Sequence, residues 1–151
     1  MLVPFSAKNE ILGRIIMKAL IVDDDATIRE FLAELLEAAF QLSCTKASGL
    51  PEAMKEIGRN GGFDLVISDI EMPNEGEKAE GWGLAKFLQE NFPRMPLLLV
   101  SGRSSLDGRS FQELAAQKDA IFLQKPFSIA ALEVMVRAAF KLKGREFRPD
   151  S

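Results

Sequence analysis

Residues Lys18 to Leu36 read KALIVDDDATIREFLAELL, and the two halves of this stretch follow different periods. KALIV is a short apolar run rich in β-type residues. Beyond it, Ile28, Phe31, Leu32, Leu35, Leu36 and Ala39 recur at the 3.6-residue spacing of a helix with one apolar face. Three consecutive carboxylates, Asp23, Asp24 and Asp25, stand where strand must turn into helix, and Asp25 or Thr27 is placed to cap the helix start. A strand, an acidic turn and an amphipathic helix make one βα unit.

The same unit recurs along the chain. Leu42 to Ala47 reads as a weaker second strand. Ser48 and Pro51 then mark the start of a second helix that ends near Gly58, with Asn60-Gly61-Gly62 as the turn. Phe63 to Ser68 (FDLVIS) is a third strand that runs into Asp69. Trp82 to Asn91 is a third helix, stopped by Phe92-Pro93. Pro96 to Ser101 (PLLLVS) is the most apolar strand and the expected centre of a parallel sheet buried on both faces. Leu106 to Lys118 is expected to form a weaker fourth helix and Ala120 to Gln124 the last strand. Ser128 caps a fifth helix that reaches Lys143. Five strands alternating with five helices predict an α/β fold with a doubly wound five-stranded parallel sheet.

A chain of 151 residues holds one domain with a proper core and is too short for two ordinary ones. Its net charge of −3 offers no basic stripe of the kind that binds nucleic acid, so no direct DNA binding is expected. The longest apolar run, Pro96 to Val100, falls far short of the ~20 residues of a membrane span. One cysteine, Cys44, excludes an internal disulfide and suits a reducing cytoplasm; it reads as a small buried hydrophobe rather than a nucleophile. No histidine occurs, which removes Ser-His-Asp and Cys-His catalysis, histidine-ligated zinc and a role as histidine phosphodonor.

Parallel α/β sheets collect their functional groups in the crevice at the carboxyl ends of the strands. Asp23, Asp24 and Asp25 follow the first strand, Asp69 and Glu71 the third, Ser101 the fourth and Lys125 the fifth. Clustered carboxylates repel one another unless a cation intervenes. An oxygen-only cluster without His or Cys suits a hard cation, with Mg²⁺ first because it takes one or two carboxylates together with phosphate oxygens. Lys125 adds a point charge and Ser101 a hydrogen-bond donor. The set is suited to a carboxylate that attacks phosphorus.

The segments IVDDDATIRE, LVISDIEMP, LLLVSG and FLQKPF, in this order and strand context, resemble the signature set of response-regulator receiver domains, and the likeness covers roughly Met17 to Lys143. The resemblance implies a flavodoxin-like (βα)5 receiver fold with strand order 2-1-3-4-5. It implies Asp69 as phosphoacceptor in a two-component phosphorelay, fed by a sensor histidine kinase, a histidine phosphotransfer protein or a small acyl phosphate. Asp24 would be a direct Mg²⁺ ligand, Asp23 would act mainly through bound water, Asp69 would share the ion, and the backbone carbonyl of Glu71 would complete the protein ligands. Ser101 would be the hydroxyl that moves onto the phosphoryl group, Lys125 the invariant lysine and Phe122 the aromatic switch, with a cis bond before Pro126. Such a domain is not an enzyme in the usual sense: it catalyses its own phosphorylation and a slow hydrolysis of the product. It is cytoplasmic, a monomer or a phosphorylation-dependent dimer, and it docks a target on the face of the fourth helix, fifth strand and fifth helix.

Several features depart from the family pattern. Asn74 to Glu80 lengthens the loop after Met72-Pro73 and reads either as a lid or as a solvated insertion. Glu71 puts an acid beside the phosphoryl position, Trp82 reads as a hydrophobe at a helix start, and Arg103 reads as a solvated side chain rather than a partner or phosphate contact. Residues 1–16 are expected to be either a leader ahead of a natural start at Met17 or an ordered appendage, residues 17–143 the receiver domain and residues 144–151 a short polar tail; if the chain is a full-length product, a stand-alone receiver is expected. Two rivals compete. Asp23-Asp24-Asp25-Ala26-Thr27 also fits the nucleophile motif of haloacid-dehalogenase-type phosphohydrolases, with Asp23 as nucleophile, but no acidic pair follows Lys125 and Asp69 is left without a role. The other is a receiver fold that binds partners without phosphorylation.

Overall fold

The computed structural model describes residues 10–11, 14–60, 62–71 and 80–149. Five short β-type runs pair into one sheet: β1 (Lys18–Val22), β2 (Ser43–Ala47), β3 (Leu65–Asp69), β4 (Leu97–Ser101) and β5 (Ile121–Gln124). Every pairing is parallel and the spatial order is β2-β1-β3-β4-β5, as expected. The chain leaves β1 in one direction to β2 and returns to β3 on the other side. The order therefore reverses between β1 and β3, and their carboxyl ends flank a crevice.

Alternation along the strands feeds two cores. Ala19, Ile21, Ile67, Leu98 and Val100 face α1 (Ala26–Phe40) and α5 (Ile129–Leu142), which contribute Leu32, Leu36, Leu132, Val136 and Phe140. Leu20, Val22, Val66, Leu97 and Leu99 face α2 (Leu50–Asn60), α3 (Glu80–Asn91) and α4 (Phe111–Gln117), which bring Ile57, Leu84, Leu88 and Phe111. Every residue of β3 and β4 is buried. Each fully buried Leu, Ile or Val side chain contributes roughly 1.5–3 kcal/mol, so the central strands are the stiffest part of the domain.

Local chemistry sets the element ends. Asp25, rather than Thr27, caps α1: its carboxylate accepts from the N–H groups of Thr27 (2.8 Å) and Ile28 (3.3 Å). Ser128 caps α5 by accepting from the Ala131 N–H at 3.0 Å. At the start of α2 the Ser48 N–H donates to the Glu52 carboxylate at 3.0 Å. That helix runs through Gly58 to Asn60, and α3 begins at Glu80, ahead of Trp82. The larger correction concerns Leu106 to Lys118, which is not one helix. Ser105–Leu106 and Arg109–Ser110 pair as a tight hairpin around Asp107 (φ 52°) and Gly108 (φ 75°), and α4 starts only at Phe111, capped by Ser110. Asp-Gly supplies the positive φ at both central positions that such a turn requires, and this local preference overrides the weak helical pattern.

Within the expected leader, Glu10–Ile11 and Arg14–Ile15 pair as two short antiparallel strands. At the other end, the segment read as a short polar tail is anchored. Phe147 is 2% exposed and packs against Phe40 and Phe140, with ring centroids 5.6 and 5.2 Å away. Arg145 adds an ion pair to Asp64 at 3.1 Å. Residues 74–79 of the inserted loop lie outside the described residues.

One glycine fixes how α3 meets the sheet. The Gly81 N–H donates to Ile70 O at 2.9 Å, and a Cβ at this position would lie 2.6 Å from Ile70 Cα and 2.7 Å from Asp69 O. Both neighbours are backbone, so nothing can swing aside. Gly81→Ala is therefore expected to lower unfolding free energy by about 1–3 kcal/mol, measured by urea denaturation. Phe147→Ala is expected to cost about 3 kcal/mol in the same assay, and a loss below about 1 kcal/mol would mean that the anchored segment adds nothing to the core.

Candidate functional site

Strand register brings the ends of the sheet level. Val22 sits beside Ser68, Asp69 beside Val100, and Ser101 beside Gln124. The residues just past or at these ends are Asp23, Asp69, Ser101 and Lys125, so four strands deliver their polar groups to one rim. The Lys125 Nζ lies 3.6 Å from Asp23 Oδ2 and 3.5 Å from Asp69 Oδ1. Carboxylate oxygens of Asp23, Asp24 and Asp69 all lie within 4.8 Å of one another. Backbone bonds hold the frame: the Lys125 N–H donates to Ser101 O at 2.8 Å, and Arg29 Nη1 donates to Asp23 O at 2.7 Å. The Lys125–Pro126 bond is cis.

Burial makes this cluster electrostatically costly. Asp23 is 2% exposed and Asp69 8%. Burial pushes the Asp69 carboxyl up to about 6; Lys125 pulls it back, and Asp23 and Asp24 push it further. Burial also raises Asp23, partly offset by the hydrogen bond from the Asp25 N–H at 2.9 Å and by Lys125. Asp23 Oδ2 is buried and, among the described residues, accepts no hydrogen bond; Lys125 attracts it from beyond hydrogen-bonding reach. Three carboxylates face one ammonium, which leaves a surplus of negative charge. An all-oxygen donor set with an orphaned buried oxygen and that surplus is suited to hold a hard divalent cation.

A second group of side chains lies beside the first. The Ser101 hydroxyl donates to Glu71 Oε1 at 3.1 Å and accepts from the Arg103 N–H at 3.1 Å. Arg103 grips both oxygens of Glu71, through Nε to Oε1 at 3.0 Å and through Nη2 to Oε2. The Arg103 hydrogen bond, opposed by some desolvation, holds the Glu71 carboxyl below the usual range. Arg103, read from sequence as a solvated side chain, is thus engaged with Glu71. A signal existed: each residue lies two positions beyond a rim residue of adjacent paired strands, Asp69 and Ser101.

Phe122 stands on β5, three residues before Lys125. It is half-buried on the opposite side of β5 from Leu123 and meets Phe111 edge-on at 5.7 Å, and Phe111 meets Trp82 at 5.6 Å. Trp82 packs as a core hydrophobe, as expected. Cys44, expected to be buried, is half-buried, and burial raises its thiol to about 12.

Comparison with known proteins agrees with this geometry. The family model described as response regulator receiver domain matches residues 19–137. The chain is 33% identical over 129 residues to the response regulator protein PilR of Pseudomonas aeruginosa, covering 85% of this chain and 27% of PilR. It is equally similar, 33% over 129 residues, to the transcriptional regulatory protein CusR of Escherichia coli K12, covering 83% of this chain and 52% of CusR. The chain thus spans about half or less of these curated relatives. A crystal structure of a response regulator receiver domain protein from Clostridium thermocellum superposes with a TM-score of 0.71 at 26% identity, over 85% of this chain and 98% of that one. No helix among the described residues is long and apolar enough to cross a membrane. From strand order, rim chemistry and a match spanning most of its length, this chain belongs to the response regulator receiver domain family.

Proposed function

We propose that this chain is the phosphoacceptor switch of a two-component phosphorelay and that Asp69 accepts the phosphoryl group. The observation that carries this reading is a buried Asp69 carboxylate with Lys125 Nζ at 3.5 Å, inside an acidic cluster with Asp23 and Asp24. With its carboxyl at about 6, Asp69 is ionised at neutral pH and available as a nucleophile. One of its oxygens forms the new bond to phosphorus as the donor's bond breaks, and the electron pair leaves with the donor imidazole or carboxylate. Lys125 draws charge from the phosphoryl oxygens.

Asp23, Asp24, Asp69 and the Glu71 backbone carbonyl are the residues that would hold Mg²⁺. When bound, the ion cancels the surplus charge that otherwise repels a phosphate dianion. Phosphorylation adds about −1.5 to −2 charges at this point. Ser101 then turns its hydroxyl to the phosphoryl group and Phe122 follows inward, shifting the population between two packings of the α4–β5–α5 face. The donor is a sensor histidine kinase or a histidine phosphotransfer protein, and the reader is a target protein docked on that face. A cytoplasmic location fits this role. The absence of DNA contact by the receiver itself is supported by the net charge of −3.

The direct test is intact mass after incubation with acetyl phosphate, with and without Mg²⁺, on wild type and Asp69→Asn. One phosphoryl adduct is expected, requiring Mg²⁺ and absent from the variant; no adduct on wild type would favour a phosphorylation-independent binding module. A second expectation concerns stability without metal. Asp69 titrates at about 6 in the folded state, against 3.8 ordinarily. Between these values the folded protein keeps a proton that the unfolded chain has released, so stability falls as pH rises through this window. In EDTA at pH 7.5, Asp69→Asn should unfold at higher urea than wild type, by on the order of 2 kcal/mol. The gain should vanish near pH 4, and saturating Mg²⁺ at pH 7.5 should stabilise wild type more than the variant.

A further inference from the structure

We infer that Glu71 and Arg103 form a latch on the Ser101 hydroxyl, which holds the unmodified protein in its resting packing and sets how readily the site takes a phosphoryl group. The inference deepens the proposed function and rests on Asp69 being the acceptor. Ser101 is 2% exposed and committed in both directions. Its one hydroxyl proton goes to Glu71 Oε1 at 3.1 Å, and its oxygen accepts from the Arg103 N–H at 3.1 Å. A proton given to Glu71 is not available to a phosphoryl oxygen, so the exchange of partner must break this bond.

Arg103 decides how firmly Glu71 holds on. A carboxylate on a half-exposed side chain would ordinarily rotate toward water. Here the guanidinium contacts both oxygens and fixes the carboxylate plane over Ser101. The Glu71 and Arg103 side chains are 31% and 53% exposed, so the pair is partly screened and its strength modest. A modest strength suits a device that a phosphoryl dianion must overcome. Because the Ser101 carbonyl also accepts from the Lys125 N–H at 2.8 Å, release of Ser101 is tied to the loop that carries the lysine. By linkage, whatever occupies Asp69 and draws the hydroxyl weakens the latch, and weakening the latch favours occupancy.

Glu71 has a second effect, plain charge repulsion of an incoming anion, and the two are separable. Repulsion acts whatever stands at position 101, whereas the latch needs the hydroxyl. The experiment is a titration with beryllium fluoride in saturating Mg²⁺, reading site occupancy by fluorine NMR, on wild type, Glu71→Ala, Ser101→Ala and the double variant. Glu71→Ala should tighten apparent affinity about five-fold or more with Ser101 present and less than about two-fold in the Ser101→Ala background. Glu71→Gln, whose amide oxygen still accepts from Ser101 but cannot pair ionically with Arg103, should fall between. Arg103→Gln should weaken binding less with Ser101 present than in the Ser101→Ala background, because only with the hydroxyl in place does freeing Glu71 offset the lost positive charge. Equal effects of Glu71→Ala, or of Arg103→Gln, in both backgrounds would overturn the latch while leaving the acceptor site standing. No occupancy in wild type, together with no acetyl phosphate adduct, would overturn the latch and the assignment of Asp69 together.

Discussion

Two buried carboxylates, Asp23 and Asp69, sharing one ammonium at 3.6 and 3.5 Å set the terms for the rest of the domain. Burial raises both groups, and Asp24 adds a third charge at the rim. A cluster of this kind survives only if the framework cannot relax away from it. That framework is the pair of strands β3 and β4, buried along their whole length between helices on both faces. Gly81 adds a further constraint, because α3 starts in direct contact with the backbone leaving Asp69. Stability stored in the core is thus partly offset at the rim, where charge is concentrated for use rather than for folding.

Two lines of contact lead away from Asp69. One is polar, running from Ser101 to Glu71 and Arg103 and back through the Ser101 carbonyl to Lys125. The other is aromatic: Phe122 touches Phe111 and Phe111 touches Trp82, which joins β5, α4 and α3. On the proposed reading, Ser101 links them, since a hydroxyl that changes partner at the end of β4 alters the space beside Phe122 on the neighbouring strand. The hairpin around Asp107-Gly108 lies between Ser101 and α4, so the segment that would transmit such a change is short and exposed rather than a helical turn.

The fold was legible because its signals are strong and local. Short apolar β-type runs alternate with stretches of period 3.6, and the order of acidic, hydroxyl and lysine residues follows the strand ends. Leu106 to Lys118 departs from the expected single helix because a seven-residue helix carries too little pattern to mark its own start, whereas Asp-Gly locally favours a turn. The burial of Phe147 has no sequence signal, because one aromatic residue in a charged segment carries no periodicity. Its burial depends on the gap between α1 and α5, which no local window contains.

Sequence by itself determined the residue types at each strand end, the alternation that places them there and the absence of any histidine or paired cysteine chemistry. These are one-dimensional properties, set by period and composition. Tertiary structure alone decided which of the acids became costly, because desolvation depends on what covers them: Asp23 and Asp69 are buried, while Asp25 is exposed and spent on capping a helix. It also decided that Glu71 and Arg103, 32 residues apart, meet over Ser101. Their contact follows from the parallel register of β3 and β4, which sets two loop residues side by side through pairing that neither segment encodes alone.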